Sequence, residues 1–450
     1  MFRIPDVALS GAIAFALAMP VGGHAFAATA AAAKQALHAG EILNQSNWQK
    51  AEGLLPPEIL KHYRTGEYVN RIVDWPPGTF HWPPDFAKAS KANEGRFVIG
   101  THGEVIGKAT GKQPPLVLGF PFPTIDATDP KAANKIIWNY FYLNWYWGNL
   151  HAEAQVNWVG ARKLQRRSDQ DVNFMYYDGV PKRDQVPNPQ NFSTQQLLVT
   201  RFPTDLNGTA ALTWRYRDPT KRDSTWAFVP VLRRVRAVSP ANRSDGFLGS
   251  DMSQDDGPFF DGKVEDFTWT LKGEVDQLRV VDPINLQGKS KSEWLSSGGW
   301  RAFWPDMPYL GYHDPNWHGV AWAPIAMALA KRHFWVVEAV PKDQYYLYGR
   351  LQLYIDKETF QGAWNRKFSW RGELLNTFQV LAYNPQKYTR PDGTADYIQG
   401  SNMNFQCAEN IKAHQATVAG QKSAPQSALD LRVPYKPTFF DMNSLSRFGK

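Results

Sequence analysis

Two short stretches carry the residue types that could do chemistry. The first, Asp251-x-Ser253-x-Asp255-Asp256-Gly257 through Asp261, gathers the oxygen ligands that hard cations such as calcium prefer. Its spacing fails the EF-hand test: the sixth position wants Gly and the twelfth Glu, and this chain has Asp256 and Gly262 there. Hydrogen-bonded turns that fix the start of a strand are the expected role. The second stretch, Tyr312 to Gly319, sets His313 and His318 beside Asp314. Zinc catalysis needs a third ligand at defined spacing, and the neighbouring Pro315 marks a loop. Nucleophile-elbow, phosphate-loop and dinucleotide motifs are absent from the sequence. Cys407, the single cysteine, has no Cys-His motif around it and reads as a small core residue. We therefore assign no catalytic residue, no metal ligand and no cofactor. A carbohydrate-active hydrolase stays open as an alternative, because it needs only two carboxylates in an aromatic cleft.

The composition points elsewhere. Aromatic residues make up 14% of the chain, with Trp 18, Tyr 18 and Phe 26. Such large amphipathic rings serve strand-rich cores, sugar clefts and hydrophobic-ligand cavities alike. A formal charge of +8 raises the question of nucleic acid. The basic runs Arg162 to Arg167 and Arg233 to Arg236 fit solvated strand ends, or attraction to anionic lipid head groups, better than a nucleic-acid partner.

The elements that must position these residues change character along the chain. Residues 28–128 are punctuated by Trp75-Pro76-Pro77, Trp82-Pro83-Pro84 and Phe120-Pro121-Phe122-Pro123, which read as extended segments wrapping the outside. Within them, Pro57 opens a short helix that ends near Gly66. Asp129-Pro130 predicts the start of a helix running to Gly148, whose Trp138, Phe141, Tyr142 and Trp145 leave almost no polar face. That helix must be buried or face a ligand. Period-two alternation follows, in Leu212, Trp214 and Tyr216, then in Phe267, Trp269 and Leu271, then in Leu351, Leu353 and Ile355, and predicts antiparallel strands. A further helix is expected over Val320 to Arg332, and residues 406–450 read as a polar tail wrapping the body.

At the N-terminus, Arg3 precedes an apolar run from Val7 to Val21, and Ala25-Phe26-Ala27 follows. This is the layout of a signal peptide cleaved after Ala27, so residues 1–27 are expected to be removed and the rest to form one large periplasmic domain. An uncleaved anchor is the alternative, opposed by Pro20, Gly22 and Gly23. No Cys stands near the site to accept a lipid anchor.

Pro230-Val231-Leu232-Arg233-Arg234, Gly249-Ser250-Asp251-Met252-Ser253 and Glu265-Asp266-Phe267, together with Asn47 to Pro56, resemble a bacterial exported family of unknown function, domain of unknown function 1329. Phe334 to Ala339, Tyr348 to Leu351, Tyr354 to Thr359 and Trp370 to Leu374 are in turn similar to the strand order of outer-membrane lipoprotein-sorting proteins of the LolA and LolB type. The resemblance implies an α+β fold in which a curved antiparallel sheet forms an open half-barrel, with helices on its concave face and residues 129–405 as its core. It also implies non-covalent carriage of a lipid or other hydrophobic molecule, transient contact with a membrane surface, and company with exporters of the resistance-nodulation-division type. Lining for such a ligand is expected from Trp138, Phe141, Tyr142, Trp145, Trp214, Phe228, Phe267 and Trp269. A structural adaptor of an export complex is a further alternative.

Overall fold

The computed structural model describes residues 36–75, 82–283, 291–303, 309–381, 384–400, 405–421 and 428–448. The expected signal peptide lies outside them. In chain order the elements are β1 (Ile42–Leu43), α1 (Pro57–Thr65), β2 (Asn70–Val73), α2 (Pro84–Ala92), β3 (Phe97–Ile99), β4 (Val105–Gly107), α3 (Ala132–Tyr146), β5 (Leu150–Gly160), β6 (Leu164–Tyr176), β7 (Phe192–Phe202), β8 (Ala210–Tyr216), β9 (Ser224–Val229) and β10 (Arg234–Val238). They continue with β11 (Phe267–Val281), β12 (Lys291–Trp294), β13 (Trp300–Phe303), β14 (Ala328–Pro341), β15 (Arg350–Asp356), β16 (Gly362–Phe368), β17 (Leu374–Val380), β18 (Asn384–Thr389), β19 (Ala395–Gly400), β20 (Phe405–Asn410), β21 (Gln415–Gln421), β22 (Ala428–Leu431) and α4 (Met442–Phe448).

One antiparallel path of strands dominates. It runs β10–β9–β8–β7–β6–β5–β21–β20–β17–β16–β15–β14–β11. Among the described residues no register joins its two outer members, β10 and β11, and the sheet is an open half-barrel. The path is seamed in its middle, where β21 pairs with β5 from Gln415↔Gly160 to Gln421↔Ala154. β2 adds a short parallel pairing to the start of β14, and β22 extends the sheet beside the start of β5.

Local signals account for several elements. Pro57 opens α1, and Gly66 caps it at φ 78, a left-handed conformation that glycine reaches at no steric cost. The alternation in β11 is visible as Phe267 and Trp269 buried against exposed Thr268 and Thr270. Helix α3 begins at Ala132, three residues beyond the expected cap: Asp129 Oδ1 accepts the Lys131 amide at 2.7 Å, and Lys131 occupies the cap.

Three expectations are corrected. Val320 to Arg332 is not a helix: Gly319 and Pro324 break it into turns, and β14 begins at Ala328. The long register with β11, from Val281↔Ala328 to Phe267↔Pro341, outweighs any local helical preference, and Lys331 and Arg332 pair with Asp276 and Asp356 across strands. Residues 406–450 do not merely wrap, because β20, β21 and β22 belong to the main sheet. Nor does Phe120-Pro121-Phe122-Pro123 lie outside. Phe120 and Phe122 are buried in the main core, and Phe122 exchanges hydrogen bonds with the Asn139 side chain of α3.

Candidate functional site

Helix α3 lies in the main core, and all of its residues but Lys135 and Asn144 are buried. Its aromatic side chains pack against one another. Trp138 lies 6.2 Å from Phe141, 6.0 Å from Tyr142 and 6.2 Å from Trp145, and Trp145 lies 5.0 Å from Tyr142, all within the range of favourable ring contacts. The polar handles are satisfied: Trp138 Nε1 donates to the Gly103 carbonyl at 2.7 Å, and Tyr142 Oη donates to Asp178 at 2.9 Å. Gly179 closes the packing, since a Cβ there would stand 2.8 Å from Trp145 Cβ. Phe260 bridges Phe141 to Phe267 and Trp269, so six of the eight expected lining residues share one cluster. The free space left beside Trp138, Phe141, Tyr142 and Trp145 is about 30 Å³, room for little more than water. Beside it, burial pushes the Glu265 carboxyl up to about 7.

The other two expected residues sit elsewhere. Trp214 and Phe228 belong to a separate cluster with Phe192, Tyr216 and Phe440, where Trp214 Nε1 donates to the Phe440 carbonyl at 2.8 Å. The period of two explains the displacement. Thr213 and Arg215 occupy the other face of β8, and it is this face that looks into the half-barrel.

A larger void lies where no aromatic run announced it. Alternate residues of adjacent strands form its wall: Ala154 and Val156 on β5, Gln170, Val172 and Phe174 on β6, Gln196 and Leu198 on β7, Thr213 on β8, and Ala419 on β21. Phe247, Ser250, Met252 and Ser253, from the segment between β10 and β11, cover it. The wall is mainly apolar and the volume is about 130 Å³. The only sequence signal for this site is the run of small and medium residues at alternate strand positions, such as Ala154 and Val156. That signal is weak, since the same residues fill ordinary cores.

The cover is a pinned loop. Gly246 and Ser253 form an isolated bridge, and the Phe247 amide donates to the Met252 carbonyl at 2.8 Å. Asp251 fastens its tip to the sheet, accepting from Asn410 Nδ2 at 2.8 Å and Gln415 Nε2 at 3.1 Å, while its amide donates to Thr417 Oγ1 at 2.8 Å. On one flank, Trp158 Nε1 donates to the Gly249 carbonyl at 3.3 Å. On the other, a buried ion-pair network holds the base of the loop. Arg243 pairs with Asp255 at 2.7 Å and Asp261 at 3.0 Å, Arg215 pairs with Asp223 at 2.8 Å and Asp261 at 3.1 Å, Lys367 meets Asp256, and Tyr346 Oη donates to Asp255 at 2.9 Å. Burial raises the Asp223 carboxyl, but Arg215 and Arg243 outweigh it and hold the group below its usual range. For Asp261 burial wins and the shift is upward.

The acidic run is thus engaged by arginine, lysine, tyrosine and amide side chains, and the described residues contain no cluster of three or more metal-type ligands. His313 and His318 fall in the turns before β14. Among the described residues no helix is long and apolar enough to cross a membrane, which says nothing about strands.

Residues 42–446 match the family described as "Protein of unknown function (DUF1329)". No curated protein matches the chain. Among solved structures, the chain is similar to a domain from Vibrio parahaemolyticus described as an outer membrane lipoprotein-sorting protein, at 15% identity and a TM-score of 0.45, over 71% of this chain and 100% of that one. A DUF1329 family protein from Desulfovibrio piger gives 16% identity and a TM-score of 0.45 over the same shares. A LolA superfamily protein from Nitrosomonas europaea gives 12% and 0.39, over 69% of this chain and 98% of that one.

Proposed function

The chain belongs to the DUF1329 family, and we propose that it carries a lipid or similarly hydrophobic molecule non-covalently, in the cavity beneath residues 246–257. The observation that carries this reading is the void itself: a mainly apolar space of about 130 Å³ between the wall of the half-barrel and the loop that covers it. A dry apolar cavity of roughly this size accepts a benzene-sized group. In the closed form, about five methylenes at ~0.8 kcal/mol each would contribute ~4 kcal/mol, which corresponds to millimolar affinity. Useful binding of an acyl chain therefore requires the 246–257 loop to move and admit more of it. The buried charges at its base supply a fixed hinge, and the single carboxylate of Asp251 supplies a releasable latch.

Periplasmic action after signal cleavage, and service to a membrane exporter, complete the proposal. They rest on the N-terminal sequence and on the family resemblance. The test is extraction of the purified chain with organic solvent, mass spectrometry of the extract, and titration of the stripped chain with the fluorescent hydrophobe N-phenylnaphthylamine. Co-purified lipid and saturable probe uptake are expected. An empty extract together with no saturable uptake would refute carriage.

A further inference from the structure

The antiparallel path places the β5–β6, β7–β8 and β9–β10 connections at one end of the half-barrel. Gly160, Leu164, Phe202, Ala210, Val229 and Arg234 are the residues that bound them. The β14–β15, β16–β17 and β20–β21 connections come to the same end, because Gln415 pairs with Gly160 and Asn376 with Asn410. This rim gathers apolar side chains that a water-facing edge would not retain. Of the nine exposed large hydrophobic side chains among the described residues, only Ile42 lies away from it.

Half of these eight lie on the arc from β6 to β10. Val231, 83% exposed, and Leu232 stand on the tip of the β9–β10 hairpin, with Leu164 and Phe202 at the ends of β6 and β7. At about 4.8 Å per strand, five strands set these tips within roughly 20 Å of one another. The turn geometry presents the pair outward: Pro230–Leu232 forms a single 3-10 turn and Arg233 follows at φ 47.

The same arc is strongly basic. Arg162, Lys163, Arg166, Arg233, Arg234 and Arg236 are all exposed on it, against Asp205 as the exposed acid of these connections. Arg167 lies over the Phe202 ring at 4.7 Å and Arg166 over the Trp158 ring at 4.3 Å, so cations and aromatic faces share one surface. Charge on the outer strand β10 could by itself be edge protection against pairing with another sheet. That role does not explain Val231 and Leu232, which weaken it.

We infer that this rim docks reversibly on an anionic lipid bilayer, with Val231 and Leu232 entering the head-group region and the surrounding arginines and lysine meeting lipid phosphates. Apolar insertion and basic attraction are each marginal alone and suffice together. The inference goes beyond carriage and does not require it. The two meet at Trp158, which touches both Arg166 of the rim and Gly249 of the cavity cover.

The experiment is co-sedimentation of the purified full chain with vesicles of phosphatidylcholine and phosphatidylglycerol, against phosphatidylcholine alone. Binding to the mixed vesicles, weakening as salt rises, is expected. Val231→Asp with Leu232→Asp, and separately Arg233→Glu with Arg234→Glu and Arg236→Glu, should each lower vesicle affinity about tenfold or more. Ile42→Asp should leave it unchanged. Hydrogen exchange at residues 230–234 of the unaltered chain, slowed by mixed vesicles only, gives a second measurement that depends on no variant. Docking is overturned if the chain stays in the supernatant with mixed vesicles, or if both rim variants bind as the parent does. Uptake of N-phenylnaphthylamine is read separately, so a failure of docking leaves carriage standing and a failure of carriage leaves docking standing.

Discussion

Two neighbouring parts of the concave face are finished in opposite ways. Under α3, rings from the helix interlock with Phe260, Phe267 and Trp269 and leave about 30 Å³ free. Under residues 246–257, Ala154, Val156, Val172 and Leu198 stop short of the cover and leave about 130 Å³. Between these two parts, therefore, the aromatic-rich one is full, and the one walled largely by shorter side chains has room. Large rings complement one another and consume the space they enclose, whereas a wall of short side chains beneath a loop fixed by polar anchors cannot close on itself.

The sharpest break in the comparison is Phe141→Ala. It opens a hole in a packed cluster and should cost about 4 kcal/mol in chemical denaturation, with N-phenylnaphthylamine affinity little changed. A large gain in probe affinity with little loss of stability would show that α3, and not the loop, borders the ligand space. Next comes Arg243→Ala, which removes the cation shared by the buried carboxylates of Asp255 and Asp261; about 3 kcal/mol of destabilisation is expected, with faster hydrogen exchange across 246–257 and faster probe entry. Unaltered exchange in that segment would mean that the network does not hold the cover. The smallest effect on stability, about 1 kcal/mol, is expected of Leu198→Trp, which fills the void. Its probe affinity should nevertheless fall about tenfold, equivalent to ~1.4 kcal/mol.

Legibility in the sequence follows the same division. Pro57 and Gly66 bracket α1, and the near-continuous apolar surface of 132–146 foretold a buried helix, because these signals are local. The alternation in β11 was equally plain, with one face in the core and the other in water. In β8 the same pattern misled, because both faces are covered: Trp214 packs beneath α4 while Arg215 turns inward to Asp223 and Asp261. Ala328 to Arg332 looked helical because its partner strand β11 begins more than fifty residues earlier, beyond any local window. The cavity was invisible for a related reason. It is made by the register of six strands, and none of Ala154, Val172, Gln196, Thr213, Gln406 or Ala419 has a residue type that signals it.

The seam between β5 and β21 also has a consequence for the order of assembly. β5 forms its hairpin with β6 early, but its other edge waits for a strand some 260 residues later in the chain. Until residues 415–421 arrive, each half of the sheet presents a long row of unpaired backbone groups, an invitation to join a foreign strand. Such a distant pairing is slow, so assembly should be limited by this closure rather than by formation of α3 or any hairpin. A chain ending before Gln415 would thus lose more than its last strands: both halves would remain open along the line where they were meant to meet.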